Sequence, residues 1–128
     1  MYTNNIYHFL LDLKLGLPVA IKCDFGNYIL LTSSESVTDE TLKLMKKISA
    51  SKTSIIINKR RMNYLSKKDV VGELFSISFN KEIDSQLSQD ISGSILNNKK
   101  SSLENASISF EKRPEIINLI QLMKNNQI

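Results

Sequence analysis

The strongest structural signal in the sequence is a pair of apolar runs that meet at a four-residue turn. Apolar residues alternate with Ala and Lys over 19–23, and residues 28–31 are almost uniformly apolar. The turn between them, Asp-Phe-Gly-Asn at 24–27, contains Gly26, which adopts positive φ without the steric penalty of a Cβ atom. Two strand-like runs separated in this way predict an antiparallel β-hairpin.

Helical periodicity precedes and follows this hairpin. Apolar residues three and four apart predict a short amphipathic helix over 5–15, which Gly16 ends. After the hairpin, Thr38 is suited to be the N-cap of a second helix. Acidic residues follow it in the first turn, and Lys46 and Lys47 fall in the last turn. Charges placed in this way interact favourably with the helix dipole at both ends and stabilise the helix.

Short strands and helices continue to alternate in the second half of the chain. Three consecutive isoleucines at 55–57 predict a buried strand, followed by a brief helix over 59–65. Over 74–79, Phe and Ile alternate with Ser, which predicts another strand. Residues 80–104 are rich in Ser, Asn, Gln and charge, and we expect a loop there with one or two short helical turns.

A strand over 106–110 and an apolar helix over 112–128 complete the pattern. Pro114 fits the first helical position, where its missing N–H would have no intrahelical partner. Apolar residues cover much more of this helix than the ~100° needed to pack on one core. We therefore expect residues 112–128 to lead to a further domain or to pack against a partner. The chain 1–128 is expected to form one compact domain of α+β class, with helices packed on a mixed sheet.

Composition excludes several kinds of site. The single cysteine, Cys23, cannot form an intramolecular disulfide or a thiolate-rich zinc site. The single histidine, His8, excludes most metal sites and nucleophile arrangements that depend on histidine. We interpret Cys23 as a buried hydrophobe and His8 as a helix-surface or core residue. No apolar run approaches the ~20 residues of a membrane span, and the first residues lack the basic segment of a signal peptide. We therefore expect a cytoplasmic protein that does not enter a membrane.

Basic residues are concentrated in one part of the chain. The net charge is +4, and residues 46–68 contain eight Lys or Arg and no Asp or Glu. We interpret this segment as a solvated face and disfavour nucleic-acid binding, because Tyr64 is the one aromatic residue near the basic cluster. Within it, Lys59, Arg60 and Arg61 are the best candidates for anion binding, since a strand-to-helix junction also directs backbone N–H groups outward.

Acidic residues give a weaker indication of a site. Asp24, Glu35, Asp39 and Glu40 are the nearest candidates for holding magnesium or for acid–base chemistry. Each has a simpler interpretation: Asp24 as a turn residue, Glu35 as a loop charge, and the other two as first-turn helix charges. No glycine-rich phosphate loop accompanies them. We therefore assign no catalytic residue and no metal ligand from the sequence.

The order of these motifs resembles the start of the 3,4-dihydroxy-2-butanone 4-phosphate synthases. Gly-Leu-Pro-Val at 16–19 matches the Gly-x-Pro-Val with which the first strand of that family opens. Val-Thr-Asp-Glu at 37–40 matches a VT-x-E helix start, and residues 57–65 echo an LT-x-x-R-x-x-x-L segment. The resemblance covers residues 8–80 and implies a synthase-like domain from the riboflavin pathway.

Two departures imply that such a domain is catalytically degenerate. Members of the family carry an acidic loop of the form DDEDRENEGD, which supplies magnesium and substrate ligands, where this chain has only residues 23–27. Their later Arg-x-Gly-His-Thr-Glu motif has no counterpart, and His8 lies too early in the chain to replace its histidine. Rearrangement of ribulose 5-phosphate requires both acid–base groups and metal ligands.

The chain is more similar still to the shortened synthase-like domain that precedes GTP cyclohydrolase II in many alphaproteobacteria. That similarity implies a structural or dimerising part of a bacterial riboflavin-biosynthesis protein, as a homodimer or packed against a cyclohydrolase domain, inactive alone and without a cofactor of its own. One alternative is a reduced synthase that still binds a sugar phosphate, and with it magnesium, through Asp24, Glu35 and the basic residues 59–61. A second alternative is a basic nucleic-acid-binding module formed by residues 46–68.

Overall fold

The computed structural model of the chain describes residues 10–22, 28–49, 52–93, 103 and 105–125. A helical segment at 10–14 precedes five strands and four helices within these residues. In chain order they are β1 (Val19–Lys22), β2 (Tyr28–Leu31), α1 (Asp39–Ile48), β3 (Ile55–Asn58), α2 (Lys59–Ser66), β4 (Leu74–Phe79), α3 (Ser85–Ser92), β5 (Ala106–Phe110) and α4 (Pro114–Asn125). The α+β class predicted from the sequence is confirmed.

The strands form two separate antiparallel sheets. β1 pairs with β2, with Val19 opposite Leu31 and Lys22 opposite Tyr28, which confirms the predicted hairpin; its turn at 24–27 lies outside the described residues. β3, β4 and β5 form the second sheet, in that order. The prediction of one mixed sheet is wrong for the described strands, because every pairing among them is antiparallel and no ladder joins the two sheets.

The connection between β3 and β4 explains why a strand–helix–strand segment gives an antiparallel pair. α2 follows β3 directly, and Lys67, in the left-handed conformation with φ 58°, ends the helix. The backbone N–H of Lys59 donates to the carbonyl oxygen of Glu73 at 2.9 Å. Residues 59–73 therefore leave and re-enter the sheet at the same end, so that β4 runs back along β3 instead of crossing over to lie parallel to it.

The predicted end of the first helix and start of the second are both confirmed. Thr38 Oγ1 accepts the backbone N–H of Thr41 at 3.2 Å and caps α1. Gly16 has φ +80°, and a Cβ atom there would lie 2.8 Å from the carbonyl oxygen of Ser36. The Thr32 hydroxyl donates to the carbonyl oxygen of Gly16 at 3.1 Å. These contacts hold Gly16, just after the helical segment at 10–14, against the chain between β2 and α1. A residue with a Cβ atom would not fit at position 16.

The main core lies on one face of the three-stranded sheet. Phe75, Ile77 and Phe79 of β4 are buried, while the residues between them are only half-buried, which is the period of two expected of a strand. α2 contributes the buried Met62 and α3 the buried Ile91. Burial of this face against two short helices is the main source of stability that the described residues show.

Within 80–104 the sequence predicts a loop with one or two short helical turns, and the structure has instead the regular eight-residue helix α3; residues 94–102 and 104 lie outside the described residues. Asp84 caps it by accepting the N–H of Leu87 at 2.8 Å, and Gly93, with φ +88°, ends it. Ile83 and Ile91 are buried in the core, and Leu87 packs against it. The four-residue spacing of these three side chains is the helical periodicity that the sequence shows in this segment.

α4 begins at Pro114, as the sequence predicts. It buries Ile116, whereas Leu119 and Ile120 are half-buried and Ile117 is exposed. Part of its apolar surface is therefore left in contact with solvent. None of the helices among the described residues has both the length and the hydropathy needed to cross a bilayer.

Candidate functional site

The predicted anion site at the strand-to-helix junction is built on the cap of α2. Asn58, the last residue of β3, accepts the backbone N–H of Arg61 through Oδ1 at 2.9 Å. Lys59 and Arg60 occupy the first turn that follows, Lys59 half-buried and Arg60 exposed. Two cations in the first turn lie at the positive end of the helix dipole, which is unfavourable for the helix and favourable for an anion.

Arg61 does not join those two cations at the surface. Its Nε donates to the carbonyl oxygen of Ile91 at 2.8 Å, and its Nη2 donates to that of Asp90 at 2.7 Å. Both acceptors lie in the last turn of α3, where carbonyl groups have no intrahelical donor. The guanidinium also lies 4.9 Å from the centre of the Tyr64 ring. Arg61 therefore caps the C-terminus of α3.

Gly93 makes this close approach possible. A Cβ atom at Gly93 would lie 2.6 Å from Cζ of Arg61 and 2.7 Å from its Nε. Glycine is thus favoured at this position for two reasons, the positive φ that ends α3 and the guanidinium packed against it, which a side chain would displace.

A small cleft of about 190 Å³ lies beside Arg61. Ser34, Glu35, Asn58 and Ser92 line it together with Arg61, so the structure brings together Glu35 and Arg61 from distant parts of the sequence. The cleft is smaller than the roughly 300 Å³ at which small-molecule sites usually begin. Lys59 and Arg60 are not among its lining residues, and Asp24 lies outside the described residues.

Asp39, an acidic candidate from the sequence, is also bonded to α3. Its Oδ1 accepts the backbone N–H of Ser85 at 2.8 Å, and the backbone and side-chain hydrogen bonds from Ser85 lower the pKa of the Asp39 carboxyl. Glu35 and Glu40 are exposed. Across the described residues, no three His, Cys, Asp or Glu side chains lie close enough together to hold a metal ion. Cys23 and His8 lie outside these residues.

An ion pair between a buried carboxylate and an exposed arginine, which was not predicted from the sequence, lies between β5 and α4. The side chain of Glu111 is only 3% exposed, and its two carboxylate oxygens accept Nη2 and Nε of Arg113 at 2.7 and 3.0 Å. Glu111 also accepts the backbone N–H of Arg113 at 3.1 Å. The Arg113 side chain is the main cause of a lowered pKa of the Glu111 carboxyl. In an extended segment, residues i and i+2 lie on the same side of the chain, so the Glu-x-Arg spacing at 111–113 could have predicted the pair.

A larger cavity of about 430 Å³ lies between β2, α1 and α4. Apolar side chains such as Met45 and Leu119 form much of its wall, and Lys46, Lys52 and Arg113 also line it. Its volume falls within the range of small-molecule sites, about 300–1,000 Å³. Two of the three cations are already paired, because Lys46 Nζ lies 3.5 Å from Glu82 Oε2 and Arg113 is bonded to Glu111.

The basic segment 46–68 is divided between structural and solvent-exposed residues. Lys46 and Arg61 make the contacts described above. Exposed cations remain on α1, on α2 and in the chain beside them, namely Lys47, Lys52, Arg60, Lys67 and Lys68. Tyr64, the aromatic residue of this segment, is 46% exposed but has the Arg61 guanidinium over its ring. Its contact with arginine reduces the surface on which a base could stack.

Comparisons of this chain with protein families, characterised proteins and solved structures find no match.

Proposed function

We propose that this chain is a catalytically inactive, synthase-like domain with a structural role in a cytoplasmic riboflavin-biosynthesis protein, acting beside a GTP cyclohydrolase II domain. The resemblance at 16–19 and 37–40 to the dihydroxybutanone-phosphate synthases suggests the family. The contacts made by the charged residues support the loss of activity.

The single observation that carries this proposal is the pair of bonds from Arg61 to α3. An arginine that binds a substrate phosphate must offer its guanidinium to the ligand, usually through two parallel N–H bonds. In Arg61, Nε and Nη2 already donate to the carbonyl oxygens of Ile91 and Asp90. A phosphate could take both donors only if the C-terminus of α3 lost its cap. One of the three anion candidates in the sequence therefore stabilises the fold.

Asp39 supports the same interpretation for the carboxylates. A magnesium ligand needs free carboxylate lone pairs directed towards a shared centre. Asp39 instead directs Oδ1 to the backbone of Ser85, at the start of α3. Asp39 and Arg61 thus make hydrogen bonds to the two ends of one helix.

The surface of α4 supports a role in assembly. Only Ile116 is buried on this helix, and the exposed Ile117 and half-buried Leu119 and Ile120 leave apolar area uncovered. A helix of this kind is stabilised when a further domain or subunit packs against it. In this proposal α4 leads to the cyclohydrolase domain.

An assay of the purified 128-residue chain with ribulose 5-phosphate and Mg²⁺ tests the loss of activity. We expect no release of formate above the enzyme-free rate, with an active dihydroxybutanone-phosphate synthase as positive control. Magnesium-dependent turnover by this chain would show that it is an enzyme and would overturn the proposal.

A second candidate function rests on one observation, that Glu35 and Arg61 line the same cleft, although this cleft is smaller than most small-molecule sites. In this alternative the domain is a reduced 3,4-dihydroxy-2-butanone 4-phosphate synthase that still binds a sugar phosphate there. Thermal denaturation with increasing ribulose 5-phosphate, with and without Mg²⁺, distinguishes the two functions. A saturable, Mg²⁺-dependent rise in Tm that Glu35→Gln removes would support the sugar-phosphate site, and an unchanged Tm would contradict it. Because Glu35 is exposed, this substitution should not disturb folding.

A further inference from the structure

β5 exposes apolar side chains that continue the core face of its sheet. Ile108 and Phe110 lie opposite Ile77 and Phe75 of β4, so all four side chains point to the same side. The two β4 residues are buried, whereas Ile108 is 47% and Phe110 54% exposed. The apolar face of the sheet therefore extends beyond the part that α2 and α3 cover.

The outer edge of β5 has no strand partner among the described residues. Among the described residues, β5 ends the sheet, with β4 on one side and no strand on the other. The N–H of Glu111 donates to the carbonyl oxygen of Leu74 at 3.0 Å. Alternate residues of an antiparallel strand face opposite neighbours, so Ile108 and Phe110 direct their N–H and C=O groups to the free edge. Such an edge is a template for another strand.

The sequence of β5 lacks the devices that usually protect an edge strand. Ala-Ser-Ile-Ser-Phe over Ala106–Phe110 contains no charge, no proline and no glycine. Its polarity is symmetrical about Ile108: apolar, polar, apolar, polar, apolar. Antiparallel pairing of two such strands about a two-fold axis at Ile108 would place Ser107 opposite Ser109 and Ala106 opposite Phe110. Each apolar residue would then meet an apolar one and each serine a serine, with no repulsion between like charges.

We propose that β5 pairs with β5 of a second copy of this chain, forming one sheet with three strands from each protomer. This inference rests on the structural role proposed above and names its partner. The two Ile108 residues would exchange N–H···O=C bonds, and the N–H of Phe110 would donate to the carbonyl oxygen of the partner's Ala106. The N–H of Ala106 already donates to the carbonyl oxygen of Leu103 at 3.1 Å. A two-fold contact uses both free β5 edges, so it ends at two copies.

Sedimentation velocity of the whole chain over a wide concentration range tests the pairing. A five-residue strand buries less area than a standard interface, so we expect a dimer fraction that rises with concentration. Ile108→Pro removes an N–H that faces the free edge and keeps the ladder to β4, a position at which proline is tolerated. Association should weaken on the order of tenfold or more, as expected for the loss of two hydrogen bonds. Wild-type protein that stays monomeric at every concentration overturns the pairing.

A charge exchange at Ile108 tests the two-fold geometry even if Ile108→Pro fails to fold. Ile108→Lys and Ile108→Glu chains should each be monomeric, because like charges would meet across the axis, and an equimolar mixture should form a heterodimer. Ile48→Lys is the matched control, since Ile48 is an equally apolar residue that is 66% exposed on a different element, α1; it should dimerise like wild type. If both Ile108 variants dimerise like wild type, β5 is not the interface. A dimer that persists in both Ile108 variants would still agree with the structural role proposed above. The assay with ribulose 5-phosphate tests that role independently.

Discussion

Arg61 on α2 donates from Nε to the carbonyl oxygen of Ile91 on α3 at 2.8 Å, across 30 positions of sequence. Its Nη2 donates to the neighbouring carbonyl oxygen of Asp90 at 2.7 Å. At the other end of the same helix, the carboxylate of Asp39 accepts the N–H of Ser85. A cation thus lies at the C-terminus of α3 and an anion at its N-terminus, and both charges interact favourably with the helix dipole. A helix of eight residues is too short to be stable alone, so these contacts from α1 and α2 help to hold it.

Replacement of Arg61 should destabilise the fold. Arg61→Ala removes two hydrogen bonds from a charged donor and leaves the last carbonyl groups of α3 without them, so the free energy of unfolding should fall by about 1.5–3 kcal/mol. Urea denaturation followed by circular dichroism measures this change. The control is Arg60→Ala on the same helix, where the side chain is exposed and the change should stay within about 0.5 kcal/mol. Equal effects of the two substitutions would contradict the capping role of Arg61.

Gly93→Ala should be destabilising for two separable reasons. The positive φ of 88° costs about 1 kcal/mol for a residue with a Cβ atom, and the added methyl would displace the Arg61 guanidinium from α3. A double-mutant cycle with Arg61→Ala separates these causes. We expect Gly93→Ala to be less harmful in the Arg61→Ala background, with a coupling free energy of roughly 0.5–3 kcal/mol. Strictly additive effects would show that the close approach is not under strain.

Glu111 should make stability depend on pH in the acid range. Its pKa lies below the ordinary value of 4.5 because Arg113 and the backbone favour the ionised form. A lowered pKa means that the stabilisation is fully present above the ordinary pKa and is lost as the pH falls through the lower pKa of the folded state. The difference in unfolding free energy between wild type and Glu111→Gln should therefore be greatest near neutral pH and shrink below about pH 4.5.

Denaturation of wild type and Glu111→Gln across this pH range provides the measurement. Arg113→Gln should abolish much of the same pH dependence, because the guanidinium is the largest cause of the lowered pKa. Asp39 also has a lowered pKa, so Glu111→Gln should flatten the acid part of the curve without removing its slope entirely. Parallel curves for wild type and Glu111→Gln would contradict the ion-pair assignment.

Truncation of Ile91 tests whether α3 belongs to the core. Ile91 is completely buried, so Ile91→Ala should lower the free energy of unfolding by about 2–5 kcal/mol, whereas Ile91→Val should cost about 0.5–1.5 kcal/mol. Ile117→Ala on α4 is the control, since that side chain is exposed and the change should be small. A small effect of Ile91→Ala would mean that α3 is not needed for the packing of the sheet.

Features that depend on a few neighbouring residues could be predicted from the sequence. Thr38 caps α1, Pro114 opens α4, and the alternation over Leu74–Phe79 gives a strand with one buried face. Caps act within one turn of a helix, and side-chain alternation is a property of a single strand. The α+β class follows from the order of such elements, and it too was predictable.

The candidate site could be predicted only in part. From the sequence alone, Lys59, Arg60 and Arg61 are equivalent candidates for anion binding, because all three follow the same strand. The structure separates them, since Arg61 alone reaches the carbonyl groups of α3 while Arg60 remains exposed. The proximity of Glu35 to Arg61 in the small cleft was equally hidden, because it depends on how the chain after β2 packs against β3.

The sequence by itself determined where most helices and strands begin and end, because capping preferences and hydrophobic periodicity act over a few residues. Only the tertiary structure decided that the described strands divide into two antiparallel sheets, that Arg61 and Asp39 hold α3, and that Ile108 and Phe110 of β5 are about half exposed. These outcomes depend on which elements become neighbours. That choice is set by the packing of the whole chain, and contacts between residues as distant as Arg61 and Ile91 leave no periodic signal in either segment.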